Sequence, residues 1–317
     1  MAKRFITTGM NLIDETHYEG SDDVQVRIGG SVIYGLNGML YWTDDVAYTG
    51  RGGNDFTSTY GTYLSRNGIS PNMVRILDEP TNRIAMRYHA DGTSIRAGTY
   101  DRDARAALEK KWRPDLRDIE SYVGGETEGL YISSPPEGLC DFWNGFFTFK
   151  AEHGFKVMWE PNPPCTFPEN KKATQELCAK IEMASFNLSE GGRIFGTSSE
   201  EELIGVLQGL GPELVVLRVG SRGLYTITKD AVCFVPSAPL PVGQRVVDVT
   251  GCGNASTAAA MVGWCMTHDP AKTGVMANIS ASYVLRQYGP ADVTAADRKE
   301  ASAQEEELLK KHRYNYL

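Results

Sequence analysis

Hydrophobic and polar positions divide the chain into two regimes. From Leu130 onward, short continuous apolar runs alternate with stretches whose apolar residues recur at helical spacing. The runs predict strands at Leu130 to Ser133, Lys156 to Trp159, Met183 to Asn187, Leu214 to Val219 and Val246 to Val249, with a hairpin at Leu224 to Thr228 and Val232 to Val235. Helices are predicted between them at Cys140 to Glu152, around Thr174 to Lys180, at Glu200 to Leu210, from Ala255 to about Met266 and from Thr273 to about Tyr288. Nearer the start, Phe5 to Gly9 and Val46 to Thr49 read as strands and Val32 to Trp42 as a helix. Asp55 can cap a helix through Tyr60, Leu64 and Gly68. Strands alternating with helices predict an α/β fold around a mostly parallel sheet covered on both faces.

The second regime is interleaved with the first. Val24 to Ile28 alternates apolar and polar residues, and Asn72 to about Ala97 reads as strands with turn signals at Glu79-Pro80 and Asp91-Gly92. Together they predict a small β-sheet lid, approximately 16–28 and 72–98, inside a single domain of 1–317. The charged tail from Ala295 to Leu317 reads as a surface helix. Trp143, Phe146, Phe147 and Phe149 recur at helical spacing and belong to the core.

Charge narrows the partners. Net charge is −8, with no Lys/Arg block, so neither nucleic acid nor an acidic membrane is expected. No stretch approaches the roughly 18 apolar residues that cross a bilayer, and the first residues lack a signal-peptide run. The dispersed cysteines (Cys140, Cys165, Cys178, Cys233, Cys252, Cys265), without a CxxC pair, read as reduced thiols in a cytoplasmic protein. The histidines share no metal or triad spacing, and GxSxG, HExxH and P-loop patterns are absent.

The strongest chemical signal is Asp248-Val249-Thr250-Gly251-Cys252-Gly253-Asn254, between the last predicted strand and a helix of small residues. Glycines allow close backbone approach, and the first N–H groups of a helix face an anion with the positive end of its dipole, so this loop suits a phosphate. Asp248 could hold or orient a cation beside it. At the end of another strand, Asn187 and Glu190 could both face a crevice, with Glu190 suited to Mg²⁺ through water; the same spacing also reads as a helix cap with its first-turn acid. Arg218-Val219-Gly220-Ser221-Arg222-Gly223 joins a strand to the hairpin and could carry nucleotide contacts. Asn11 and Asp14 follow the first strand, where ligands sit in open α/β sheets.

In this order the parts resemble the ribokinase-like (PfkB) carbohydrate kinase family across nearly the full length. The resemblance rests on Gly9 and Asp14, the pair Gly29-Gly30, Gly53-Asn54-Asp55, the NxxE element Asn187 to Glu190, the turn Gly220 to Gly223, and the signature residues Asp248, Thr250, Gly251 and Gly253. It implies a ribokinase-like three-layer core with a β lid, and transfer of the γ-phosphoryl of ATP, with Mg²⁺, to a hydroxyl of a sugar- or nucleoside-like substrate. Asn11, Asp14, Gly29, Gly30 and Asp55 would hold that substrate. Gly251, Cys252, Gly253 and Asn254 would form the anion hole. Asn187, Glu190, Arg218, Gly220, Gly223, Asp248 and Thr250 would border nucleotide and metal, with room for a monovalent cation. Open lid edges could pair with a second chain, giving a homodimer through the lid.

Two positions depart from the family pattern. Its signature ends in an Asp that serves as general base, and Asn254 stands there, without useful basicity near neutral pH. The Asn that usually follows the Gly-Gly pair is replaced within Ser31-Val32-Ile33-Tyr34. General-base catalysis contributes about 10²–10⁴-fold, whereas phosphoryl transfer relies mainly on positioning and charge neutralisation. Both a slow kinase and a nucleotide- and sugar-binding or regulatory protein without turnover therefore fit, and another phosphate-handling enzyme would use the same loop. A carboxylate within reach of Asn254, with Asp248 the candidate, would favour the enzyme.

Overall fold

The computed structural model describes residues 2–89, 110–311 and 314. The chain runs β1 (Phe5–Met10), β2 (Leu12–Tyr18), β3 (Val24–Gly29), α1 (Ser31–Leu40), β4 (Val46–Gly52), α2 (Phe56–Arg66), β5 (Val74–Ile76) and β6 (Arg83–Tyr88). It continues with β7 (Gly129–Ser134), α3 (Phe146–His153), β8 (Lys156–Pro161), α4 (Lys171–Cys178), β9 (Met183–Asn187), α5 (Leu188–Phe195), α6 (Glu200–Gln208) and β10 (Leu214–Arg218). The last elements are β11 (Gly223–Ile227), β12 (Val232–Pro236), α7 (Cys252–Thr267), α8 (Pro270–Val284) and α9 (Ala295–Lys311).

Nine strands form one sheet in the order β12-β11-β10-β9-β8-β7-β1-β4-β5, parallel except at β10–β11 and β11–β12. Both faces are apolar because successive side chains enter two separate cores. Phe5, Tyr131, Met158, Met183 and Val216 pack with α1, α2, α7 and α8; Ile6, Ile132, Val157, Ala184 and Leu217 pack with α3 to α6. This burial on both faces produces continuous apolar runs instead of alternation. The expected three-layer ribokinase-like α/β core is what the chain forms, with a second sheet of β3-β2-β6 beside it.

Several boundaries differ from expectation. Val246 to Val249 is not a strand: the prolines at 239 and 241 interrupt ladder pairing after β12, and the segment runs irregularly to α7, with the Val247 N–H donating to the Leu285 carbonyl at 2.8 Å. Val74–Ile76, assigned to the lid, pairs with β4 in the main sheet. The lid's middle strand is β2, where Leu-Ile-Asp-Glu-Thr-His-Tyr lacks a clean alternation. Expected lid residues 90–98 lie outside the described residues. The Cys140 to Glu152 helix breaks at Gly145 (φ 72°), leaving a short turn over 141–143 before α3. Among the described residues, no helix is long and apolar enough to cross a membrane.

Candidate active site

The phosphate loop is shaped by what touches its glycines. Gly251 caps α7 with φ 79°, a left-handed conformation that glycine adopts without steric cost. A Cβ there would overlap the ring of Tyr34, and one on Gly253 would overlap the Arg218 guanidinium. An aromatic face and a cation thus flank the turn at contact distance. The Gly253 and Asn254 N–H groups have no backbone partner among the described residues, whereas the Ala255 N–H already donates to the Gly251 carbonyl at 3.0 Å. First-turn donors without a backbone partner, at the head of a 16-residue helix and beside an arginine, are an arrangement that suits an anion.

Arg218 reaches this place from the end of β10. Its Nη2 donates to Glu160 Oε1 at 2.8 Å and lies 3.5 Å from Glu190 Oε2. Burial opposes the guanidinium charge, but Glu160 and Glu190 outweigh it and hold its pKa above the usual value. Glu190 and Asn187 form the reciprocal cap that the sequence allowed: the Glu190 N–H donates to Asn187 Oδ1 at 2.8 Å, and the Asn187 N–H to Glu190 Oε2 at 3.0 Å. Burial raises the Glu190 pKa, with Arg218 opposing and Glu160 adding.

The carboxylate within reach of Asn254 is Glu160, not Asp248. Asn254 Nδ2 donates to Glu160 Oε2 at 3.3 Å and to Tyr131 Oη at 3.1 Å. Asp248 is turned the other way, where its Oδ1 accepts from the Thr250 N–H (3.0 Å), Thr250 Oγ1 (2.8 Å) and Tyr18 Oη (3.1 Å). Glu160 carried no sequence motif; its only signal was an acid closing a parallel strand, where sheet crevices open.

Among the residues expected to hold an acceptor, Asp14 on β2 lies against Gly29, where a Cβ would overlap its carboxylate. Burial raises its pKa to about 7, against a hydrogen bond from the Gly30 backbone, with Asp248 adding to the rise. Gly30 (φ 93°) has no room for a Cβ beside the Met10 carbonyl. The Tyr34 hydroxyl is pushed well above its usual pKa by burial and then by Asp14 and Asp248. Tyr88 Oη sits 3.2 Å from Thr250 Oγ1; because Thr250 donates to Asp248, Tyr88 is the donor. Asp248, Thr250 and Gly251 thus meet Tyr18, Tyr88 and Tyr34 in turn; of these three tyrosines the sequence pointed only to Tyr34, within the stretch that replaces the family's Asn.

Other expected residues serve the frame. Asn11 is fully buried, accepting from the Tyr48 hydroxyl and donating to the Arg51 carbonyl at 2.9 Å. Asp55 occupies the N-cap position of α2 without capping it; its Oδ1 accepts from the Thr81 N–H at 2.8 Å and Thr81 Oγ1 at 2.6 Å. Gly223 (φ 126°) is needed where a Cβ would strike the Val235 carbonyl, while Gly220 is exposed at the turn. Among the described residues no three His, Cys, Asp or Glu side chains gather into a metal group. Glu190 Oε1 and Asp248 Oδ2 nevertheless carry no hydrogen bond among the described residues. A carboxylate oxygen or two, completed by phosphates and water, is a donor set that suits Mg²⁺.

Comparison with known proteins resolves the resemblance. The profile described as pfkB family carbohydrate kinase matches residues 14–296. The chain belongs to the pfkB carbohydrate kinase family. A curated Schizosaccharomyces pombe protein, uncharacterized protein C16C9.01c, is 26% identical across 90% of this chain and 85% of its own length. Solved structures share the pfkB fold at lower identity. A probable sugar kinase from Rhizobium etli superposes with a TM-score of 0.73 at 14% identity, over 96% of this chain and 100% of that one. A Vibrio cholerae fructokinase, bound to fructose, ADP and calcium, gives 0.72 at 17%, over 94% and 98%. A Burkholderia thailandensis nucleoside kinase in complex with inosine gives 0.70 at 18%, over 96% and 99%.

Proposed function

We propose that this pfkB protein transfers the γ-phosphoryl group of ATP to a hydroxyl of a small sugar- or nucleoside-like acceptor. The single observation that carries the reading is the turn at Gly251–Asn254 at the head of α7, where the Gly253 and Asn254 N–H groups have no backbone partner among the described residues and the Arg218 guanidinium lies against Gly253. Backbone donors and Arg218 take up the charge spread over the transferring group. Glu190 would hold Mg²⁺ through water, and Asp248, on the far side of the loop, would orient a cation there. When bound, that ion neutralises phosphate charge. Asp14 and the Gly29-Gly30 backbone orient the acceptor, and the turn at Gly220 borders the nucleotide. Kinases with sugar acceptors and with nucleoside acceptors occur among the structural relatives, which keeps both acceptor classes in view.

A second reading, binding without turnover, is favoured by the Tyr34 ring, which is buried against Gly251 between the acceptor-side residues and the loop. One assay separates the two. MgATP is incubated with sugars, nucleosides and polyols while ADP release is followed, and nucleotide binding is measured in parallel. Release above background with one acceptor class is expected; nucleotide binding with no release for any acceptor supports the second reading instead.

A further inference from the structure

Asn254 and its nearest carboxylate belong to one hydrogen-bonded unit. Tyr131 Oη donates to Glu160 Oε2 at 2.9 Å, the oxygen that also receives the Asn254 amide, while Arg218 holds Oε1. A carboxylate only accepts, so the edge of Asn254 that faces it must be the NH₂ group. Its carbonyl oxygen has no partner among the described residues, and Asn254 is partly exposed where Glu160 is buried. The amide is therefore oriented with its nitrogen toward Glu160 and Tyr131, which leaves its oxygen on the opposite edge. An aspartate at 254 would instead set two carboxylates against each other at this spacing. The other titratable groups facing Glu160 are Tyr131 on β7, Arg218 on β10, Glu190 on α5 and the Cys252 thiol at the start of α7.

Resting on the kinase reading, we propose that Glu160 is a positioning residue for phosphoryl transfer, fixing Asn254 so that its carbonyl oxygen orients the acceptor hydroxyl. The carboxylate of this site stands on strand β8 and not in the loop. The hydroxyl hydrogen-bonds to Asn254 Oδ1 as its oxygen forms the bond to the γ-phosphorus. The bond from that phosphorus to the bridging oxygen breaks, and its electron pair leaves on ADP. The hydroxyl proton passes to a phosphoryl oxygen, so the product departs as the monoprotonated monoester. A loose transition state, with little charge on the attacking oxygen, tolerates such a late proton transfer.

The test compares wild type, E160Q, N254D and the double variant E160Q/N254D, which keeps the charge count beside Arg218. Melting is measured without ligand at about pH 5 and about pH 8, on either side of the raised step with which one of two close carboxylates titrates. N254D is expected to melt below wild type at the higher pH only, and E160Q to abolish that difference. With an acceptor from the screen, E160Q is expected to lower kcat by ~10²-fold, the scale of a small misplacement, at unchanged nucleotide affinity. N254D alone gains nothing, and the double variant recovers activity with an acid limb in its pH profile that wild type lacks. A rise in kcat of about tenfold or more for N254D alone, on the scale of general-base catalysis, or additive effects of the two changes on kcat, overturns the role of Glu160. Wild type that turns over no acceptor overturns the kinase reading and with it the transfer role; additive melting shifts overturn the pair itself, whatever the activity.

Discussion

Tyr18 Oη donates a hydrogen bond to Asp248 Oδ1 at 3.1 Å, tying the middle strand of the small sheet to the first residue of the phosphate loop. Tyr88, on the neighbouring strand, reaches Thr250 in the same loop, and the two tyrosine rings stack at 5.7 Å. The small sheet is thus tied to the loop by two adjacent hydroxyls. Tyr18→Phe keeps the ring and removes one of three donors to a buried carboxylate, a loss of about 1 kcal/mol. Amide exchange is expected to quicken in 12–18 and 83–88, with the nine-stranded sheet unaffected. Unchanged exchange in those segments would mean that the hydroxyl does not hold the lid.

On the proposed reading, Tyr34 sets how much room the acceptor side has. Its ring fills the space that a side chain at 251 would claim. Tyr34→Ala should cost ~3–5 kcal/mol, as buried aromatic truncations do, and admit bulkier acceptors in the ADP-release screen. Tyr34→Phe should preserve the melting temperature to within a few degrees. An unchanged acceptor range for Tyr34→Ala would remove Tyr34 from the pocket.

Gly251 and Gly253 separate two kinds of constraint. Gly251→Ala meets both a left-handed backbone and the Tyr34 ring, whereas Gly253→Ala meets only the Arg218 guanidinium. The first should destabilise the fold by roughly 1–3 kcal/mol from backbone strain alone. The second should leave melting nearly intact while weakening MgATP binding, because a displaced Arg218 no longer flanks the cradle. Calorimetric titration with a non-hydrolysable ATP analogue checks this; equal nucleotide affinity for wild type and Gly253→Ala would exclude Arg218 from the anion site.

Asp14 makes stability depend on pH. Its native pKa of about 7 lies above the ordinary carboxylate range, so the native state holds its proton longer than the unfolded chain. The associated stability is fully present below about pH 4 and is lost as pH rises through the native pKa. Asp14→Asn should therefore raise the melting temperature above neutrality and change little at acid pH, at roughly 2–4 °C per kcal/mol recovered for a chain of this class. A gain that is the same at both ends of the range would contradict the raised pKa.

Much of the core was legible in the residues because both faces of the main sheet are buried. Leu214 to Leu217 and Leu130 to Ile132 are apolar at every position, and such short runs, bounded by turn residues, admit few alternatives to a doubly covered strand. Strand β2 was not legible, since Asp14, Glu15 and His17 interrupt the apolar pattern and one of its two partners, β6, is distant in sequence. Val246 to Val249 failed for the opposite reason: β-branched composition favours extended backbone but supplies no neighbouring strand to pair with. The loop glycines and the Asn187–Glu190 cap could be read from spacing because each is local. Glu160, Tyr131 and Asn254 could not be joined in advance, as the Glu160–Asn254 contact spans 94 positions and requires the β7–β8 register.

Helices α1 and α7 leave no space between them at Gly38, where a Cβ would fall on the Ala255 carbonyl, and Gly35 on the same helix faces the Tyr131 ring. The helix that follows the Gly29-Gly30 pair is thereby seated directly on the helix that begins the phosphate loop. The spacing between the Gly29-Gly30 turn and the loop at Gly251 is set by backbone contact, without an adjustable side chain to absorb error. On the proposed kinase reading, any closure around substrate falls to the small sheet, while the two helices act as a fixed gauge for the distance over which the phosphoryl group travels.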